Sequence, residues 1–123
     1  MSRDPQFNTL IIALEKRGGM YINPFDFNGL VAYIQGYHHG KSDTGLESGF
    51  EGFQEWIQLK MGQRCSSHWS ALIKDYFSEK HKSKCIPVFF ELLHEFIKKK
   101  EESGLGQIIK EYEAMCAKTS NSP

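Results

Sequence analysis

Residues 87–97, with the sequence PVFFELLHEFI, decide the fold class of this 123-residue chain. Large apolar side chains recur there at spacings of three and four, which is the period that places them on one face of an α-helix. They are Phe89, Leu92, Leu93, Phe96 and Ile97. Pro87 suits the first turn of such a helix because proline has no N–H to donate, and Gly104 is expected to end it. The stretch therefore predicts a long amphipathic helix.

The same helical period recurs in other stretches of the chain. They are residues 5–17, 27–39, 46–59, 69–77 and 105–112. Asp26 is expected to cap the second of these helices, and Ser66 or Ser67 the fourth. The second helix is expected to end at Gly36 or to run on to His39, with a loop over residues 41–45 after it.

No alternation of apolar and polar residues, the mark of a β-strand, persists beyond a few positions. Gly49 and Gly52 disfavour helix formation over residues 46–59, since each lowers helix stability by roughly 1 kcal/mol relative to alanine. The fold is nevertheless predicted to be all-α. We expect a single compact bundle of five to six amphipathic helices over residues 1–118 and a disordered C-terminal tail at residues 119–123.

Carboxylates recur at every fourth position from Asp43 into the predicted third helix, and no Lys or Arg lies between Ser42 and Leu59. They are Asp43, Glu47, Glu51 and Glu55. A four-residue step returns to nearly the same side of a helix, so these acids are predicted to form one ridge. Like charges at this spacing repel. We interpret the ridge as a surface for a basic partner; the alternative is an ordinary solvated helix face.

Charge and cysteine content narrow the function classes. Fifteen basic residues balance fifteen acidic ones, so the whole chain has no field that would draw it to nucleic acid or to an anionic membrane. The three cysteines are an odd number and widely spaced, and the sequence has no apolar signal segment or membrane span. We therefore expect a cytoplasmic protein with reduced thiols, and a monomer when it is free of its partner.

Two groups of residues could carry chemistry. Cys65-x2-His68 and His81-x3-Cys85 have the spacing of a zinc site. The predicted helix between His68 and His81 would hold them about 20 Å apart, so we expect no metal. His38 and His39 could act as acid and base near neutral pH. No nucleophile or second fixed carboxylate is recognisable beside them, so we expect no catalytic residue and no cofactor.

Three segments in the first half of the chain resemble small bacterial proteins of the toxin-immunity kind. They are residues 14–22 (LEKRGGMYI), 30–37 (LVAYIQGY) and 53–57 (FQEWI). Proteins of this kind are encoded beside secreted or contact-delivered toxins. The resemblance implies a role in neutralising a toxin, and it carries no inhibitory residue over to this chain.

The sequence-based hypothesis is therefore a non-enzymatic immunity protein that binds a cognate toxin domain, a nuclease being one candidate, and blocks its active site. The acidic residues Asp43, Glu47, Glu51 and Glu55 would supply charge, with Tyr37 and His39 as anchors at the rim. One alternative is a small metal- or ligand-binding enzyme or regulator that uses His38, His39, His68 and the thiols. A second alternative is a helical adaptor or dimerisation domain.

Overall fold

A computed structural model of the protein describes the backbone of residues 5–23, 25–81 and 84–120. Every regular element in these residues is helical, so the predicted all-α class is confirmed. The α-helices are α1 (Pro5–Arg17), α2 (Phe27–Asp43), α3 (Phe53–Met61), α4 (Trp69–Leu72), α5 (Ser78–His81), α6 (Cys85–Ser103) and α7 (Leu105–Ser120). A short 3-10 helix, Gly18–Met20, follows α1, and a π-helical segment, Ile73–Phe77, joins α4 to α5 without a break.

The chain divides into two compact units, which we call unit 1 (Met1–Glu51) and unit 2 (Gly52–Pro123). The single domain expected over residues 1–118 stays a prediction. So does the disordered tail, because residues 121–123 lie outside the described residues; α7 itself extends to Ser120. In the described part of the chain, no helix has both the length and the apolar character that crossing a membrane requires.

Unit 1 is built on α1 and α2. The predicted bounds of α1 are confirmed, and its buried stripe consists of Phe7, Ile11 and Leu14. The predicted cap of α2 is also confirmed, since an Asp26 carboxylate oxygen accepts a hydrogen bond from the Gly29 amide at 2.8 Å. Capping of this kind satisfies a helix-end donor that has no partner within the helix.

Two predicted boundaries in this region are wrong. Helix α2 passes through Gly36 and Gly40 and ends at Asp43, so only Thr44 and Gly45 of the expected loop lie outside it. Helix α3 begins at Phe53 instead of Leu46. An isolated glycine lowers helix stability by only about 1 kcal/mol, which buried neighbours can offset. A residue with a left-handed backbone conformation cannot continue a right-handed helix. The glycines before α3 adopt that conformation, so the helix cannot begin earlier.

Unit 2 has an aromatic core around Phe53, the first residue of α3, which is 1% exposed. The centroid of its ring lies 5.2 Å from that of Trp69, 5.9 Å from that of Phe89 and 5.3 Å from that of Phe96. All three partners are buried, and Phe89 and Phe96 belong to the apolar stripe predicted for α6. Edge-to-face pairs of this kind add to the free energy of burial.

Two glutamines of α3 hold the segment that follows this helix in unit 2. The Gln54 amide donates to the Ser67 carbonyl at 2.8 Å and accepts from the Trp69 amide at 2.7 Å. The buried Gln58 side-chain oxygen accepts from the Cys65 amide at 2.9 Å and from the Tyr112 hydroxyl at 3.0 Å. With Trp69 held in this way, the N-cap of α4 is His68 and the predicted Ser66 or Ser67 cap is wrong.

Candidate functional site

The predicted acidic ridge does not exist as one helix face. Asp43 is the last residue of α2, Glu47 and Glu51 lie in the non-helical segment that follows, and Glu55 lies in α3 of unit 2. The four-residue spacing therefore does not correspond to a shared helix face. The contacts that hold the segment after α2 determine which of its carboxylates remain accessible to a partner.

A hydrogen-bonded helix end holds the beginning of this segment. Gly45 adopts a left-handed conformation with φ of 77°. Its amide donates to the Ser42 carbonyl at 3.0 Å, and the Leu46 amide donates to the Lys41 carbonyl at 2.8 Å. These two bonds make up the Schellman motif, in which a glycine just past the helix satisfies carbonyls that would otherwise lack partners. The path of the chain from Asp43 to Leu46 is thereby fixed.

Ser48 and Glu51 hold the end of the segment. One Glu51 carboxylate oxygen accepts from the Ser48 amide at 2.9 Å, and the other accepts from the Gly49 amide at 2.9 Å. The Ser48 hydroxyl oxygen in turn accepts from the Phe50 amide at 3.1 Å. The bond from the Ser48 amide to the Glu51 carboxylate is the one found in a capping box, but the Ser48 hydroxyl accepts from the amide two residues on instead of three.

His38 of α2 ties this turn to the helix. Its Nδ1 atom lies 2.6 Å from the Ser48 hydroxyl oxygen and 3.6 Å from a Glu51 carboxylate oxygen. Burial raises the pKa of the Glu51 carboxyl, but the hydrogen bonds from the Ser48 and Gly49 amides outweigh it, so the pKa lies below its ordinary value of 4.5. Glu51 is therefore an ionised acceptor at neutral pH.

The serine, histidine and glutamate of this turn are the residue types of a hydrolytic triad, but their arrangement differs from one. In a triad the imidazole lies between the carboxylate and the hydroxyl and bonds each through a different nitrogen. Here the Ser48 hydroxyl and the Glu51 carboxylate both face the Nδ1 atom of His38. Ser48 is 0% exposed. The arrangement suits holding a loop in place and does not present a nucleophile to substrate.

Between its two fixed ends the segment presents a small surface, which we call the acidic loop and define as residues 43–47. All five of its residues are exposed. Leu46 stands out because 57% of this large apolar residue is exposed, and Asp43 and Glu47 lie on either side of it in the chain. Large apolar residues that remain exposed on a fixed backbone are candidates for contact with a partner.

The other predicted site residues are distributed as follows. His39 is exposed on α2, with its ring centroid 5.9 Å from that of His38. Tyr37 is half-buried, and its ring centroid lies 6.5 Å from that of Phe50. The partner-binding roles proposed for both residues stay predictions.

Cys65, His68 and Cys85, three of the four residues with the spacing of a zinc site, form no metal-binding group in the described part of the chain. Helical structure continues from Trp69 to His81, so the helix predicted between His68 and His81 is confirmed. The Nδ1 atom of His68 lies 2.7 Å from the Ser70 hydroxyl oxygen, and the Cys85 thiol accepts from the Ser78 hydroxyl at 3.4 Å. The side chain of His81 lies outside the described residues. No group of three metal-binding side chains occurs among the side chains that are described.

Sequence reasoning missed Leu46 as an exposed residue and Ser48 as a capping residue. A signal for Ser48 was present, because Ser48-x-x-Glu51 has the spacing of a capping box. The link from His38 spans ten residues and has no local signal. Comparison of the chain with protein-family models, curated proteins and solved structures gives no match.

Proposed function

We propose that this protein is a bacterial immunity protein that binds and neutralises a cognate toxin domain through the acidic loop. The observation that supports the proposal is an exposed Leu46, placed between two exposed carboxylates on a backbone fixed at both ends. A fixed loop loses little conformational entropy on binding, so more of the contact free energy remains as affinity.

The side chains of the acidic loop suit a protein partner. Leu46 has apolar surface to bury at the centre of a contact, and Asp43 and Glu47 have charge to place at its rim. Exposed rim charges act mainly on the rate of encounter, whereas buried apolar anchors act on the lifetime of the complex. A toxin with a basic substrate cleft, such as a nuclease, is the partner that this charge fits best.

The proposal is tested by titrating the product of the adjacent gene, which the proposal takes to be the toxin, with the purified chain in a calorimeter. We expect tight one-to-one binding by the wild-type protein. Replacing Leu46 by Ser should weaken the binding about tenfold, because roughly half of a leucine side chain is available for burial in the contact. Cells that express the toxin should grow better with the wild-type protein than with the Leu46→Ser variant.

Ile12 provides a matched control, since it is 54% exposed and lies on α1. Ile12→Ser removes a similar exposed apolar surface from another part of unit 1 and should leave the affinity unchanged. No binding by the wild-type chain would refute the proposed function. Equal losses in Leu46→Ser and Ile12→Ser would refute the role of the acidic loop.

A further inference from the structure

Unit 1 also contains a cleft of about 420 Å³, and none of its lining residues belongs to the acidic loop. Its lining is mostly apolar and includes three tyrosines. The lining residues are Gln6, Thr9, Leu10, Ala13, Tyr21, Tyr33 and Tyr37. Clefts of about 300–1,000 Å³ with aromatic walls and a few polar groups are typical sites for small molecules.

A positive charge lies at the edge of this cleft. The Lys41 ammonium donates to the side-chain oxygen of Gln6 and lies 5.7 Å from the centroid of the Tyr37 ring. Both contacts are neutral groups of the cleft lining. Lys41 is half-buried, and no described carboxylate forms an ion pair with it. An ammonium at the mouth of a cleft, whose contacts on the protein are neutral groups, can donate a charge-assisted hydrogen bond to an anion.

We propose that the cleft binds a small organic anion with a planar aromatic body. The aromatic body would lie among the tyrosine rings and against Leu10 and Ala13, where it is removed from water. The carboxylate would accept a hydrogen bond from the Lys41 ammonium, which supplies charge complementarity at the mouth. This inference depends on Lys41 and the cleft, and it does not rest on the proposed toxin binding.

Two probes of nearly equal size test the chemical class. Indole-3-acetate has an aromatic body and a carboxylate, and indole-3-acetamide has the same body without the charge. Each is titrated into the full-length wild-type chain by calorimetry and by saturation-transfer NMR. We expect roughly tenfold tighter binding of the acetate, because a hydrogen bond to a charged group is stronger than one between neutral groups.

Variants locate the binding. Lys41→Met should remove the preference for the acetate, and Ala13→Leu should weaken both probes because it fills the cleft. Lys60→Met is the matched control, since the Lys60 ammonium also lies over an aromatic ring, 5.9 Å from the centroid of Trp56 in unit 2. It should retain the preference. Circular dichroism checks that each variant is folded.

The inference is overturned if wild type binds neither probe at millimolar concentration, if both bind equally, or if Lys41→Met keeps the preference for the acetate. A loss of toxin affinity in Lys41→Met without any probe binding would mean that a protein occupies the cleft, which also overturns it. Failure of toxin binding together with an intact probe preference would refute the proposed function alone.

Discussion

Unit 2 buries its aromatic side chains around Phe53, whereas unit 1 leaves large apolar side chains in solvent. Among the described residues, the exposed large apolar side chains all belong to unit 1. They are Ile12, Met20, Tyr21 and Leu46. The buried side-chain amide of unit 2, that of Gln58, satisfies groups within the same unit. Unit 1 uses comparable polar contacts to fix a loop whose tip remains exposed.

This difference between the two units indicates that they contribute differently to stability and to binding. A dense aromatic core and satisfied buried polar groups stabilise a fold. Exposed apolar groups on a fixed backbone contribute little to folding and are available for binding. We therefore propose that unit 2 supplies most of the stability of the fold and that unit 1 carries the surface for the partner.

The largest expected effect is on the core of unit 2. Phe53→Ala should lower the free energy of unfolding by about 4 kcal/mol, because it removes a ring surrounded by other rings and leaves a cavity. The same change at Phe50 in unit 1 should cost about 3 kcal/mol, since that residue is 7% exposed and its ring packs on those of Phe7 and Tyr37. Urea denaturation measures both. A larger loss at Phe50 would contradict the assignment of stability to unit 2.

A smaller effect is expected at the glycine inside the fixed turn. Gly49 has φ of 103°, and a Cβ atom placed there would lie 2.4 Å from the ring of Phe7. Gly49→Ala should therefore lower the free energy of unfolding by about 2 kcal/mol. Gly36 is the matched control, because it lies in α2 with open space around its Cβ position. Gly36→Ala should stabilise the protein by about 0.5–1 kcal/mol. Effects of the same sign at both positions would contradict the description of the turn.

These glycines also mark the limit of what the sequence could predict. The apolar stripes of α1 and α6 are long and regular, so their period was enough to find them. The region from Thr44 to Gly52 has a helical spacing of acids, yet its glycines adopt left-handed backbone. The close approach of the Phe7 ring to Gly49 is a tertiary contact that no local pattern reveals.

The sequence pointed to only some residues of the candidate site, because the roles of the others depend on tertiary contacts. Asp43 and Glu47 were identified from their charge, and both are exposed beside Leu46. Glu51 was identified with them, but it accepts hydrogen bonds from backbone amides and fixes the turn. Spacing alone could not separate the two roles, because the distinction depends on which donors the fold brings to each carboxylate.

The role of Glu51 predicts a pH dependence. Its pKa is lowered in the folded protein, so its contribution to stability is present above the ordinary value of 4.5 and is lost as the pH falls through the lowered pKa. Glu51→Gln should cost about 1 kcal/mol at neutral pH, the size expected for hydrogen bonds to a partly exposed charged group. Denaturation at several pH values should show the difference from wild type shrinking below pH 4.5. Glu47→Gln is the control and should cost nothing measurable; a constant difference for Glu51→Gln would contradict the prediction.

The smallest effect concerns the rate of toxin binding. Replacing Asp43 by Asn and Glu47 by Gln together should slow association roughly threefold at low ionic strength, because exposed charges steer the encounter and are screened by salt. Stopped-flow measurements at two salt concentrations test this. The double variant Glu91→Gln and Glu113→Gln removes two exposed charges from unit 2 and should change the rate less. Equal slowing by both variants would mean that net charge alone sets the rate.

The central claim, that unit 1 recognises the partner through the acidic loop, is tested most directly by cross-saturation NMR. The deuterated chain is mixed with the protonated product of the adjacent gene, which the proposal takes to be the toxin. The signals of that partner are saturated, and the amide signals of the chain are recorded. We expect the largest intensity losses at residues 43–47. Exposed residues of α6, such as Glu91 and His94, should keep their intensity. Losses confined to unit 2, with residues 43–47 unaffected, would contradict the account.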